Sequence, residues 1–229
     1  MSIRTPDDVN RALSDELIWR KKELTALKFL VQAPSTNADR QAALVRGGIA
    51  LLYAHWEGFV KEAGRVYMEF LRYQRLTYEQ LAPNFLALVA RNKLFAAAQS
   101  GRIRQHLELT RFFRYELGQR SNIAQRDPLG TRGNLSSQVL RDITDTLGLD
   151  YGPYATKERL IDERLVARRN TIAHGQYLRP EMKDFLELYS EVLDLLEMFR
   201  TQVDNAVSTG AYKISFERLT FGESVTDQN

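Results

Sequence analysis

The chain has 229 residues, of which 44% are hydrophobic and 27% charged, and it is long enough to bury a sizeable core. It contains no cysteine, which excludes a disulfide framework and a cysteine-bound zinc site, and its three histidines are too dispersed to predict a metal site. No apolar signal region opens the chain and no uncharged stretch exceeds 11 residues, so we expect a cytoplasmic protein without a membrane segment.

Charge is unevenly distributed along the chain, although the net charge is only +3. Residues 91–132 carry nine basic and three acidic side chains, whereas residues 181–204 carry seven acidic and two basic ones. Arginine outnumbers lysine 24 to 8, and its planar guanidinium suits phosphate binding as well as ordinary surface ion pairs. The basic sector is therefore either a surface for a polyanion or a solvated face.

Apolar residues recur at helical spacing almost throughout, and no run of strand length alternates at period two, so the sequence predicts an all-α fold. A first helix is predicted over residues 7–31. A second, longer helix carries the clearest apolar stripe, which is typical of a helix packed in a bundle. Within it, Gly47 and Gly48 indicate a close helix approach or a bend. The residues of the stripe are Ile49, Leu52, Tyr53, Trp56, Phe59, Val60, Ala63, Val66, Tyr67, Phe70 and Leu71.

Five further helices are predicted towards the C-terminus. They span residues 77–93, 103–117, 134–148, 156–174 and 180–207. Asn134 is the expected N-cap of the third, and the breaker-rich residues 118–133 before it predict a loop. The tail after Gly210 is expected to be a short extended segment or to fray.

One segment combines residue types that suit phosphodiester chemistry, and it reads Arg169-Asn170-Thr171-Ile172-Ala173-His174-Gly175. A histidine exchanges protons near neutral pH, an arginine binds phosphate, and an amide can fix which imidazole nitrogen carries the proton. Because arginine is so abundant here, the spacing alone is a weak signal, and its position before a helix-ending glycine adds to it. The structural alternative is that His174 only caps the last carbonyls of its helix.

The helical geometry of this segment separates its two key side chains. At about 100° per residue, Arg168 falls in the apolar stripe, whereas Asn170 and His174 fall on nearly the opposite face. Arg169 lies roughly 140° from His174, so it must reach around the helix or act with another protomer. This favours a composite site at a dimer interface.

Two segments in this order resemble the HEPN family. The run from Arg169 to Gly175 resembles the Arg-x(4 to 6)-His motif of HEPN domains, late in a helical chain and before a long acidic helix. An earlier block resembles a second segment of a bacterial branch of HEPN-like nucleases, and it reads Tyr53-Ala54-His55-Trp56-Glu57-Gly58-Phe59-Val60-Lys61. The resemblance implies a single HEPN-like helical bundle over residues 1–229, with its core at about 40–207 and the motif on the penultimate helix, facing a dimer interface.

The resemblance also implies an activity, namely metal-independent, cofactor-free cleavage of RNA through attack of the 2′-hydroxyl, which leaves a 2′,3′-cyclic phosphate. It assigns the catalytic positions to Arg169, Asn170 and His174, while Arg168 satisfies a second allowed spacing. HEPN proteins often act in toxin–antitoxin, phage-defence or RNA-processing systems. The expected partners are therefore RNA, a second copy of the chain, and an antitoxin or defence-system protein.

Other side chains are expected to support this site. Glu57 lies beside the buried stripe and is expected to pair with Arg168 or Arg169, either locking the bundle or orienting the arginine. His55 is expected at the surface or an interface, and His106 in solvent. The expected RNA contacts are Arg102, Arg104, Arg111 and Arg114.

Two alternatives to catalysis stay open. One is a non-catalytic HEPN-like module that binds RNA or a nucleotide or mediates dimerisation. The other is a helical adaptor that docks an acidic partner through the basic sector.

Overall fold

The structure is a computed structural model that describes residues 2–34, 37–123 and 133–215. Within these residues the only β structure is two isolated bridges, so the predicted all-α fold is confirmed. A 3₁₀ turn spans Tyr78–Gln80, and π-helical segments span Phe112–Glu116 and Leu160–Ala167. The α-helices are α1 (Pro6–Gln32), α2 (Ala38–Tyr73), α3 (Pro83–Gln99), α4 (Ile103–Arg111), α5 (Ser137–Leu147), α6 (Gly152–Ala155), α7 (Arg168–Ala173) and α8 (Met182–Ser208).

The three long helices α1, α2 and α8 form the centre of the bundle, since each packs against the other two. The stripe predicted on α2 is buried, and Trp56 meets Phe199 of α8 edge-on at 6.1 Å between ring centroids. Burying one large apolar side chain of this kind contributes about 1.5–3 kcal/mol to folding. α7, which carries the Arg-His motif, packs on α2 and is thereby fixed to the core.

The close helix approach predicted at the glycine pair of α2 is confirmed at Gly48. A Cβ atom there would lie 2.7 Å from Cε2 of Phe185 in α8, closer than carbon atoms can pack. The neighbouring Gly47 faces open space. Only the second glycine therefore sets the distance between α2 and α8.

Three of the predicted helices differ from the structure for local reasons. The helix predicted over residues 77–93 begins at Pro83, because proline suits a first turn and lacks the N–H that a helix interior needs. The N-cap of α5 is Ser136 rather than Asn134, since the Ser136 hydroxyl accepts the Val139 N–H at 3.3 Å. The helix predicted over residues 156–174 is π-helical over Leu160–Ala167 and α-helical over Arg168–Ala173.

The chain after α8 turns back onto the start of α3. The Ala82 N–H donates to the Tyr212 carbonyl at 2.9 Å, and Lys213 forms an isolated bridge with Leu81. The predicted loop over residues 118–133 and the predicted tail extend into residues 124–132 and 216–229, which lie outside the described residues. In the described part of the chain, no helix is long and apolar enough to cross a membrane.

Candidate active site at the end of the motif helix

The end of α7 is closed by backbone hydrogen bonds around Gly175. Gly175 adopts a left-handed conformation with φ +68°, its N–H donates to the Ile172 carbonyl, and the Gln176 N–H donates to the Thr171 carbonyl, both at 3.0 Å. This pair of bonds is the Schellman arrangement that glycine favours at a helix C-terminus. These carbonyls are satisfied without the His174 side chain, which is exposed. The structure therefore gives no support to a purely capping role for the imidazole.

Arg169 turns toward α2 and is held on several sides. One terminal nitrogen donates to Asn170 Oδ1 at 2.7 Å and the other donates to the Gly133 carbonyl. Its guanidinium carbon lies 4.3 Å from the centre of the Tyr53 ring, within cation–π distance. A guanidinium fixed in this way loses little further freedom when it binds an anion.

The carboxylate expected near the motif arginine is Glu57, which is buried on α2 one turn after Tyr53. Its Oε2 lies 3.8 Å from Arg169 Nη2, and its Oε1 lies 2.9 Å from Lys61 Nζ. Two cationic side chains thus share one carboxylate, which leaves the cluster with a net positive charge. A positive cluster at the foot of the motif suits a phosphate group.

Tyr53 joins this cluster to the segment before α5. Its hydroxyl accepts the Leu135 N–H at 2.7 Å and lies 3.4 Å from the Gly133 carbonyl. Burial, with a smaller contribution from the adjacent Glu57 charge, raises the pKa of Tyr53 to about 12. The hydroxyl therefore stays neutral near pH 7.

A family model for HEPN_MAE_28990-like HEPN matches residues 9–212 of the chain. The chain belongs to this HEPN family. No curated protein and no solved structure gives a match. The match includes α1 and the start of the tail, which lie outside the core suggested by the sequence resemblance.

The HEPN motif residues are divided between two environments. Arg169 contacts both its neighbour Asn170 and Glu57 of α2. No hydrogen bond joins it to His174, which is exposed. Arg168 pairs with Asp184 of α8 at 3.6 Å instead of with Glu57. Of the two pairings expected for Glu57, the structure therefore has the one with Arg169.

The arginines expected to contact RNA lie elsewhere in this HEPN chain. They are exposed residues at the start of α4, within it and in the following π-helical segment, namely Arg102, Arg104, Arg111 and Arg114. His106 is exposed beside them, as expected, with Nε2 3.0 Å from the Ser100 carbonyl. Across the described residues, no group of three His, Asp or Glu side chains could hold a metal ion.

The expectation that His55 lies at the surface or an interface is wrong. His55 is buried between α1 and α2, with Nε2 2.8 Å from Glu23 and Nδ1 3.5 Å from Arg20. The Trp19 ring packs on it at 5.3 Å. Burial, together with the Arg20 charge, lowers the pKa of His55, and Glu23 offsets only part of this.

Sequence reasoning missed Tyr53 and Gly133 as partners of the motif arginine. Tyr53 was identifiable in principle, because it precedes Glu57 by four residues and so shares its helix face. Gly133 is contacted through its backbone carbonyl, and no side-chain pattern reports such a contact.

Proposed function

We propose that this HEPN protein is a metal-independent endoribonuclease that acts as a homodimer, in a toxin–antitoxin or phage-defence setting. The observation that carries the proposal is the state of His174. Its imidazole is exposed at a helix end whose nearby carbonyls are already bonded to the backbone, five residues after an arginine locked in place. An exposed imidazole and a fixed guanidinium are the two groups that metal-free phosphodiester cleavage needs.

In this reaction the ribose 2′-oxygen attacks phosphorus and the bond to the 5′-oxygen breaks, giving a 2′,3′-cyclic phosphate and a 5′-hydroxyl. His174 takes the proton of the 2′-hydroxyl while water protonates the departing 5′-oxygen, or it protonates the 5′-oxygen while water takes the 2′-hydroxyl proton. Arg169 binds the scissile phosphate and stabilises the charge that develops on it. Because the nucleophile is the 2′-hydroxyl, DNA is not a substrate.

The same geometry favours a site shared between two protomers. Arg169 turns toward Tyr53 and Glu57, and five residues of α-helical rotation carry His174 roughly 140° away from it. The imidazole of a second copy is then the natural partner for this arginine. A homodimer supplies two equivalent sites of this kind.

Cleavage of a labelled single-stranded RNA by the full chain tests the proposal. The wild type is expected to cut in the presence of EDTA and to leave 2′,3′-cyclic phosphate ends. Replacing His174 with Ala removes the proton-transfer group and is expected to lower the rate by about 10²- to 10⁴-fold. Arg159→Ala, a change at an exposed side chain outside both the motif and the basic sector, is the control and is expected to keep full activity.

Two results would contradict the assignment. The first is full cleavage by the His174→Ala variant, and the second is a requirement for added divalent metal. Circular dichroism and gel filtration of the variant establish that lost activity is not lost folding.

A non-catalytic RNA-binding or dimerisation module is the second candidate, and one observation favours it. Arg169 ties Gly133 to α2 and pairs with Glu57, contacts that also suit a purely structural arginine. In that case the wild type binds RNA or self-associates without cutting any RNA. Inactivity of the wild type in the assay above would select this candidate.

A further inference from the structure

A helical hairpin on the side of the bundle carries positive charge, little of which is paired with carboxylates among the described residues. This basic arm, residues 91–115, runs from the second half of α3 through α4 into the π-helical segment. Among its described contacts, one cation pairs with a carboxylate, Arg104 with Glu108 at 3.6 Å. Within residues 91–115, Glu108 is the one acidic side chain, whereas six basic side chains are exposed. They are Arg91, Lys93, Arg102, Arg104, Arg111 and Arg114.

The arm also exposes apolar and aromatic side chains instead of burying them. No residue of α4 is buried, and Phe112 fixes the base of the arm by packing edge-on against Tyr78 at 5.0 Å. Tyr115 is 71% exposed and Phe95 65% exposed. The exposed apolar side chains of the arm are Leu94, Phe95, Ile103, Leu107, Phe113 and Tyr115. An exposed apolar surface of this kind marks a binding site.

We propose that the basic arm binds single-stranded RNA, its arginines contacting phosphates and its exposed aromatic rings stacking on bases. Unbalanced positive charge draws a polyanion, and aromatic rings among arginines are the combination that holds unpaired bases. A duplex hides its bases and offers only its backbone to such a surface. The ligand class rests on the proposed function, but the arm binds RNA whether or not the motif cuts it.

One part of the arm provides a concave surface as well as charge. A groove of about 580 Å³ between α3 and α5 is lined by Arg91, Leu94 and Phe95 of the arm, and by Asp145 of α5 on the opposite side. A base held against Phe95 therefore has a guanidinium in the same groove for an adjoining phosphate. Arg114 similarly lies 5.7 Å from the centre of the Tyr115 ring. Arginine and aromatic side chains are thus paired at both ends of the arm.

Fluorescence anisotropy with a labelled 12-nucleotide RNA tests the proposal, using the full chain with His174→Ala so that the probe stays intact. The single strand is expected to bind at least tenfold more tightly than the same RNA annealed to its complement. Tyr115→Ala removes a stacking ring and is expected to raise Kd by about 5- to 100-fold. Tyr115→Phe keeps the ring and is expected to bind like the parent.

Salt dependence gives a separate measure of the arginines. The double variant Arg111→Ala, Arg114→Ala loses two phosphate contacts. The slope of log Kd against the logarithm of the salt concentration is therefore expected to decrease by about 1.4. Arg159→Ala and Phe29→Ala are matched controls, since both residues are exposed outside the arm. Neither is expected to change binding.

Binding and cleavage separate this proposal from the proposed function. If the wild type binds RNA through the arm but cleaves none, the proposed nuclease activity is excluded and the proposed RNA-binding arm is retained. If cleavage depends on His174 but the arm variants bind RNA like their parent, the proposed RNA-binding arm is excluded and the nuclease activity is retained. Two results would contradict RNA as the ligand of the arm. One is equal affinity for the single strand and the duplex. The other is displacement of the labelled RNA by polyglutamate as effectively, per charge, as by unlabelled RNA, which would favour an acidic protein.

Discussion

At the scale of single residues, the motif arginine depends on groups from three parts of the chain. Tyr53 and Glu57 come from α2, Asn170 from α7, and the Gly133 carbonyl from the segment before α5. The guanidinium is therefore positioned by the fold before any ligand arrives, which reduces the ordering cost of binding a phosphate. His174 has no such support, so the two motif residues differ in how firmly each is held.

His55 makes the stability of the protein depend on pH. The unfolded imidazole titrates near pH 6.5, whereas burial and Arg20 lower the folded pKa despite Glu23. Below pH 6.5 the unfolded state binds more protons than the folded state. The free energy of unfolding therefore decreases as the pH is lowered, until the folded pKa is reached. For one titrating group this slope has an upper limit of about 1.4 kcal/mol per pH unit.

Urea denaturation at several values between pH 8 and pH 5 measures this slope. His55→Gln removes the titrating group and is expected to flatten the dependence, while His106→Gln, at an exposed site, leaves it unchanged. The groups that face His55 are Glu23 and Arg20, with Glu16 bonded to the far side of Arg20. Parallel curves for wild type and His55→Gln would show that this histidine does not control the dependence.

At the scale of helices, Gly48 and Gly47 form a matched pair for testing the packing of α2. Gly48→Ala forces a methyl group against Phe185 and is expected to lower the free energy of unfolding by about 1–3 kcal/mol. Gly47→Ala meets open space and is expected to raise it by about 0.5–1 kcal/mol, because alanine favours the helix. Urea unfolding of both variants measures the difference, and equal stabilities would contradict the close approach.

The sequence predicts the long helices well, because each carries an apolar stripe several turns long. The stripe of α2 is buried as predicted, and the glycine that ends α7 is in place. The π-helical conformation of residues 160–167 is not predicted from the sequence, because a π-helical segment changes the rotation per residue and has no simple sequence signature. π-helical turns are frequent at functional sites, and this one leads directly into the motif.

The site is harder to predict than the helices because its contacts lie far apart in sequence. The Glu57–Arg169 pair was one of two alternatives, and a helical wheel alone does not choose between adjacent arginines. His55 projects away from the α2 stripe as its position predicts, but α1 covers that side through Trp19 and Arg20. Which helix covers which face is a tertiary property, and periodicity within one helix does not report it.

At the scale of the whole molecule, the proposed function and the basic arm assign separate tasks to separate surfaces. Under the first proposal the motif at the end of α7 carries the chemistry, and under the second residues 91–115 bind the strand by charge and stacking. The acidic side chains of α8 are largely engaged within the chain, Glu187 by Arg164 and Glu191 by Lys157. Among the described residues these carboxylates are therefore already paired, which supports the proposal that the charge of the arm meets a ligand.

The shared active site of a homodimer predicts complementation between two inactive variants. If Arg169 of one protomer acts with His174 of the other, a dimer of one Arg169→Ala chain and one His174→Ala chain keeps one intact site and loses the other. Random mixing makes half of the dimers mixed, so about a quarter of wild-type cleavage is expected to return. The measurement mixes the two purified variants, exchanges their subunits under mild denaturant, and compares RNA cleavage with each variant alone. A site contained within one protomer would leave every combination inactive, because each chain then lacks one of its own two residues.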